Sequence, residues 1–405
     1  MFCHRRETIF AENLYAFSTM TSSIFKLLLI VFVPILCSAQ SDFKIKEAKI
    51  DSLLKAHINH NGKRPVHNFL LYVRNEKTGF EYNHGIGTIG RNEKPIDEEY
   101  HYNVASITKT FVATIILQLE EEGKLNTKDK AMNYLKNVDF LKFDQIHLID
   151  KKSYASEITI EMLLHHTSGI SDIFTDATKR FNISVLLHMK RQYTTERFMN
   201  LFFKYKMNQK PFNKPGVGYH YSDVNYMILG FIIEQVTGQS LPQAIRERVL
   251  IPLNMGNTYF EYYEPEQGNG KRIDAFLNRI NMTKNVNTSY EWGGGGLVST
   301  TKEMGIFIKA LFDLKLFKND ATLAKMSDIS ETGKFGQHYG MGIYRWEING
   351  RIFYGHGGFY GSKLAYDPID KVTISANIGQ ANAPFDTGKV VNEILNIVSN
   401  SDSHQ

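Results

Sequence analysis

Ser106 and Lys109 stand three residues apart in the stretch Asn103-Val104-Ala105-Ser106-Ile107-Thr108-Lys109-Thr110-Phe111. On a helix that spacing sets a hydroxyl and an amine side by side. An alcohol attacks a carbonyl only after a base has taken its proton. A lysine is that base only where burial or a neighbouring cation pulls its pKa down from about 10.4. A helix start adds unpaired backbone N–H groups, useful where an oxyanion forms. The spacing alone selects nothing, because it recurs at Ser23–Lys26, Ser41–Lys44, Ser52–Lys55 and Ser299–Lys302. Context separates Ser106. Phe111, Val112, Ile115, Ile116 and Leu119 follow it as an apolar stripe at helical period, closed by Glu120-Glu121-Glu122-Gly123. The serious rival, Ser299, begins Ser299-Thr300-Thr301 with Glu303 near a capping-box position, and reads as a helix cap.

The elements that must position this pair are legible in outline. Phe69 to Val73, a turn at Asn75 to Gly79 and a second arm to Gly87 read as strand, turn, strand. Leu125 to Leu135 reads as a loop and a short helix, and Ile158 to Ile170 as a Thr-capped helix stopped by Ser168-Gly169. His165-His166 invites a metal, but adjacent helical residues point apart and no carboxylate stands at ligand spacing; no metal or other cofactor is expected. Tyr221 sits on a loop just before an apolar helix from Met227 to Val236, placed to reach into a cleft or to pack. The run Gly293 to Gly296 lets backbone pass close to backbone or ligand. It lacks the Gly-Lys-Ser/Thr ending of a phosphate loop. Near the C-terminus the period becomes two. Ile352–Gly358, Gly361–Asp367 and Val372–Asn377 read as successive antiparallel strands, and the glycines after His356 suggest an edge for an extended ligand.

In this order the motifs resemble the penicillin-recognising serine hydrolases. The likeness is to the branch that holds class C β-lactamases, D-alanyl-D-alanine carboxypeptidases, D-aminopeptidases and related esterases. Ser106-Ile107-Thr108-Lys109 matches the first element of that family. Tyr221-Ser222-Asp223 lies where it carries Tyr-x-Asn, and His356-Gly357-Gly358 where it carries Lys-Thr-Gly or His-x-Gly. The resemblance runs from about residue 65 to 395. It implies an α/β (α+β) fold of the β-lactamase/transpeptidase type, an antiparallel sheet flanked by helices from about 40–125 and 290–400. A mostly helical lobe, about 126–289, is inserted, and 40–405 forms one catalytic unit. It also implies Ser106 as nucleophile, Lys109 as partner base and Tyr221 as proton shuttle, with a phenolate held by Lys109 as one form. The amides of Ser106 and Phe359 would hold the oxyanion, with Asp223, His356, Gly357 and Gly358 beside the substrate.

Two departures bear on specificity. His356 replaces a lysine that would grip a substrate carboxylate, and Asp223 replaces an amide with a group that repels anions when ionised. The expectation is an acyl-enzyme hydrolase of an ester, a D-amino-acid peptide or amide, or a β-lactam-like substrate, with neutral or cationic substrates favoured. Such a substrate is small or peptidic, and cell-wall material is one source. The competing reading is a binding or sensor module that keeps the fold with weak or no turnover.

Composition supports an ordinary globular chain of 405 residues, 42% hydrophobic and 22% charged, with net charge +5 and no basic run dense enough for nucleic acid. Lys26, the apolar run Leu27 to Leu36 and Cys37-Ser38-Ala39 read as an export signal covering 1–39, with Met20 as an alternative start. The run is short for a membrane span, so none is expected in the mature chain, and Leu36 argues against a lipid anchor on Cys37. A periplasmic or secreted location follows. Both cysteines, Cys3 and Cys37, fall in that segment, which removes disulfides and thiol chemistry from the mature protein.

Overall fold

The computed structural model describes residues 40–91 and 93–399; the expected export segment lies outside them. The described chain divides into two compact units. The larger is 54–392, and the smaller combines 40–53, which is helical, with 393–399, the end of the helix Thr387–Ser399.

The larger unit is built on a six-stranded antiparallel sheet. Its strands are β1 (Asn68–Asn75), β2 (Phe80–Gly87), β3 (Tyr344–Ile348), β4 (Arg351–Gly358), β5 (Ser362–Asp367) and β6 (Val372–Asn377), in the order β3-β4-β5-β6-β1-β2. The two N-terminal strands therefore complete a sheet made mainly by the C-terminal part, with Leu70 opposite Asn377 and Val73 opposite Ile374. β1 is buried along almost its whole length, as a central strand requires. β3 pairs with β4 only as far as Tyr344 opposite Gly355. His356, Gly357 and Gly358 run past it, so that side of β4 is left without a strand partner there.

Three helices frame the site. Thr108–Glu121 is buried on nearly every face, not along one stripe, because it runs through the core and does not cap it. It ends where the glutamates and glycine indicated. Gly123 adopts φ +70° and donates to Glu120 O at 2.9 Å, and Lys124 N donates to Leu119 O at 2.9 Å, a Schellman closure. Asp223–Thr237 is likewise apolar and stops at Gly238, φ +70°. Thr301–Phe312 packs on β6, β1 and β5. The Phe111 and Phe307 rings stack at 3.7 Å, joining it to the first helix. One apolar cluster runs from Leu70 through Phe111, Ile115 and Leu119 to Ile228, Ile232 and Leu311. Each such side chain contributes roughly 1.5–3 kcal/mol on burial.

Between 126 and 289 the chain is mainly short helices, Thr178–Leu187 and Thr195–Lys204 among them, with a few two-residue strands. The helix after Thr159 spans only Ile160–Leu164, shorter than the apolar run suggested, because His166 takes a left-handed φ of 58° and turns the chain before Ser168-Gly169. Ser299 is a strand residue in Leu297–Ser299, with its Oγ 2.7 Å from Thr258 Oγ1; the cap is Thr300, whose side chain accepts from Glu303 N at 3.3 Å. Ser299 thus has a structural partner in the core, and the cap lies one residue later than the sequence suggested.

Candidate active site

A short three-stranded sheet sets the Ser106 segment. Tyr102–Asn103 and Tyr259–Phe260 both pair with Leu297–Ser299, and Val104 N donates to Leu297 O at 3.0 Å. A turn of 3-10 helix, Ala105–Ile107, follows and leads into Thr108–Glu121. Ala105, just before Ser106, holds φ +50°, a conformation costly for a side chain with a Cβ and common next to reacting groups. From the other side the end of β4 presses in. A Cβ on Gly358 would fall 2.3 Å from Val104 O and 3.1 Å from Ala105 Cβ, so only glycine allows the approach. Ser362 Oγ ties the next strand to Asn103 O at 2.8 Å.

Within this frame Lys109 Nζ lies 3.1 Å from Ser106 Oγ, 2.5 Å from Asp223 Oδ1 and 2.6 Å from Gly294 O. Lys109 is wholly buried, and an ammonium has three N–H donors, so each finds an acceptor. The glycine run explains the third contact. A Cβ on Gly294 would stand 2.7 Å from Asp223 Oδ1, and one on Gly293 would strike Tyr226 O at 2.9 Å. Bare backbone is what brings Gly294 O to the amine. Asp223 opens the helix Asp223–Thr237, where the helix dipole favours a carboxylate.

Aromatic rings enclose the amine. Lys109 Nζ is 5.0 Å from the Tyr221 ring centroid and 5.7 Å from that of Tyr226. His166 packs on Tyr221 with centroids 4.2 Å apart, while its Nδ1 accepts from Ser222 N and Asn225 Nδ2. Burial, and then the repulsion of Asp223, push the Tyr221 phenol well above its usual value, against an opposing hydrogen bond with Ser106. The three Nζ contacts go to other oxygens, and the raised phenol favours the protonated form of Tyr221 in the resting site.

His356 is buried. Its Nδ1 donates to Gly357 O at 2.7 Å and its Nε2 meets Tyr339 OH at 3.1 Å, which puts a proton on Nδ1. Burial first, and the Lys109 charge second, lower its pKa to about 3. Phe359, in contrast, is 53% exposed on the turn that follows β4.

The chain matches the family model described as Beta-lactamase over residues 54–388. It belongs to the beta-lactamase family. Among curated relatives, a protein named "Putative D-alanyl-D-alanine carboxypeptidase" from Escherichia coli K12 is 27% identical over 328 residues, 70% of each chain. Among solved structures, a D-stereospecific amidohydrolase from Streptomyces sp. aligns at TM-score 0.70 and 22% identity, covering 85% of this chain and 97% of that one. A D-amino acid amidase from Ochrobactrum anthropi SV3, complexed with D-phenylalanine, aligns at TM-score 0.71 and 19% identity, covering 89% and 99%. The α/β fold is thus that of the beta-lactamase and penicillin-binding-protein group, and the chain is a serine hydrolase of that family.

In this beta-lactamase-family enzyme the structure gathers Ser106, Lys109, Tyr221 and Asp223 at one point, with the Gly358 end of β4 alongside. His356 neighbours Tyr221, with ring centroids 6.4 Å apart, and bonds Tyr339 OH. Three contributors were not singled out in the sequence. Gly294 acts through its carbonyl, and only the glycine run hinted at a close approach. Asp172 is fully buried with Oδ2 unpaired, and burial followed by the Asp223 charge raises its pKa well above the carboxylate range. Glu291 precedes the glycine run and accepts from Tyr360 OH at 2.6 Å. Among the described residues no group of three metal-ligating side chains converges.

Proposed function

We propose that this protein is an exported hydrolase that works through an acyl-enzyme on Ser106, with a preference for neutral or cationic acyl substrates such as D-amino-acid amides, short peptides with a free amine, and esters. The observation that carries this reading is the Ser106–Lys109–Asp223 line, 3.1 and 2.5 Å in its two steps. For Lys109 to take the Ser106 proton it must first free a lone pair, and the nearby Asp223 carboxylate is the acceptor for the proton it gives up. Ser106 Oγ then bonds to the substrate carbonyl carbon. The C–N or C–O bond breaks as the Tyr221 phenol passes its proton to the leaving group and is reprotonated by Lys109 with the proton taken from Ser106. Water then attacks the acyl carbon, its proton passing through the same groups back to Ser106 Oγ as the acid is released. The N–H groups of Ser106 and Phe359 serve the oxyanion, each worth on the order of 3 kcal/mol.

The charge pattern supports the substrate preference. Lys109 is engaged on all three N–H groups and His356 is neutral, so neither grips a carboxylate, while Lys363, on β5 opposite Gly357, lays its amine on the Trp346 ring at 4.3 Å. The D-specific solved relatives fit the same direction. The test is a matched set of chromogenic ester, D-amino-acid amide and cephalosporin, run on wild type and Ser106→Ala. Turnover of the first two, absent in Ser106→Ala, is expected together with a fluorophosphonate adduct on Ser106. Fast cephalosporin hydrolysis overturns the preference, and activity surviving in Ser106→Ala overturns the mechanism. Export is supported by the apolar run Leu27 to Leu36 and the Cys37-Ser38-Ala39 cleavage pattern. Sequencing the secreted or periplasmic protein is expected to give a start near Gln40.

A further inference from the structure

Acidic groups outnumber free cations around Ser106. Asp223 is matched by Lys109, and Glu261 by Arg272 at 2.7 Å, while among the described residues no cation pairs with Asp172 or Glu291. Asp172 is sealed in the interior. Glu291 differs: protein crowds it on nearly every side, yet part of its surface still reaches water. Oε1 accepts from Tyr360 OH, leaving Oε2 on the side of the nucleophile segment. A Cβ built on Gly295 would lie 3.1 Å from Oε2 and 3.5 Å from the carbonyl carbon of Ala105, so this oxygen and the residue just before Ser106 share one face of Gly295.

We propose that Glu291 is a specificity-determining residue that receives the α-ammonium group of the substrate. The inference rests on the acyl-enzyme reading above and narrows its substrate class to compounds with a free amine next to the scissile carbonyl. Burial, then the nearby Glu261 and Asp223 charges, raise the Glu291 pKa to about 8, against the hydrogen bond from Tyr360 and the Lys109 charge. In the empty site the carboxyl is therefore protonated near neutrality, which avoids an unpaired buried anion. An arriving ammonium replaces that proton. An N-acylated substrate brings no cation and gains nothing from the exchange. Because Glu291 must lose its proton while the amine, pKa about 7.7–8.0, keeps its own, selection for the free amine peaks near pH 8.

The test is the ratio of kcat/KM for D-phenylalanine p-nitroanilide to that for its N-acetyl derivative. Glu291→Gln keeps an acceptor for Tyr360 OH and removes the charge. A fall of the ratio by 30-fold or more, on the order of a charge-assisted hydrogen bond, carried by KM and accompanied by loss of the optimum near pH 8, is expected. Tyr360→Phe removes the hydrogen bond but keeps the carboxyl, and is expected to leave most of the ratio. An unchanged ratio in Glu291→Gln overturns the proposal. So does an equal loss for both substrates, or the same fall in Tyr360→Phe, either of which makes Glu291 a positioning residue. If Ser106→Ala still turns over both substrates, it is the underlying acyl-enzyme reading that fails.

Discussion

At the scale of single residues, Lys109 is the pivot, since one buried amine touches the Ser106 hydroxyl, a carboxylate and a carbonyl. Lys109→Met keeps the volume and is expected to lower kcat by about 10²–10⁴, the range for loss of a general base, and to leave Asp223 a buried charge without its partner. Burst-phase kinetics with an activated ester would place the loss in acylation. Tyr221→Phe keeps the ring over the amine and removes only the hydroxyl, so amide hydrolysis is expected to fall more than hydrolysis of an activated ester, whose leaving group needs no proton. Asp223→Asn removes a negative charge from the cleft. Selectivity is expected to shift toward cephalosporin by about tenfold or more, given that two charges 4 Å apart interact by roughly 1–4 kcal/mol between water and a protein surface. An unaltered preference would separate anion rejection from this position.

At the scale of elements, the glycine run and the end of β4 are tools for bringing backbone to backbone. Gly294→Ala would set a methyl 2.7 Å from Asp223 Oδ1. The expected result is activity reduced at least tenfold, with a stability loss within the roughly 1–3 kcal/mol of ordinary overpacking, read by denaturant titration and ester assay together. Thr300→Ala, which removes the cap of Thr301–Phe312, is expected to cost about 1 kcal/mol with little change in KM, because that helix supports the sheet and does not touch the site. These elements also show what the sequence could and could not disclose. The Ser106–Lys109 pair was legible because both sit within one turn and are followed by an apolar run. The terminal strands were legible from period two, and the Gly123 stop from its residue types. Gly294 lies 185 residues from its partner Lys109, and nothing local marks a carbonyl as a ligand. Nothing local in the sequence marks Asp172 or Glu291, since their character comes from what the folded chain packs around them. The run Gly293 to Gly296 signalled closeness without saying to what.

At the scale of the whole molecule, buried titratable groups set how stability depends on pH. His67, His147, His165, His166 and His356 all have lowered pKa values, chiefly from burial. The unfolded chain binds protons there below about pH 6.5 while the folded one resists, so stability is lost as pH falls from that point. Asp172, Glu234 and Glu291 have raised values, again chiefly from burial. They keep protons in the folded state that the unfolded chain has released above about pH 4.3, so they cost stability as pH rises toward their folded values. Above about pH 6.5 only this second group still acts among the two, and Tm is expected to peak near there and decline toward pH 8. Calorimetry of Glu291→Gln should show a flatter alkaline limb. The sheet order carries a different consequence. Because Leu70 must meet Asn377, a nascent chain cannot close its central strand until the segment around Asn377 has been made. Contacts that distant in sequence form slowly. The enzyme is therefore silent until both ends of its sheet exist, and neither half made alone would hold Ser106 against β4.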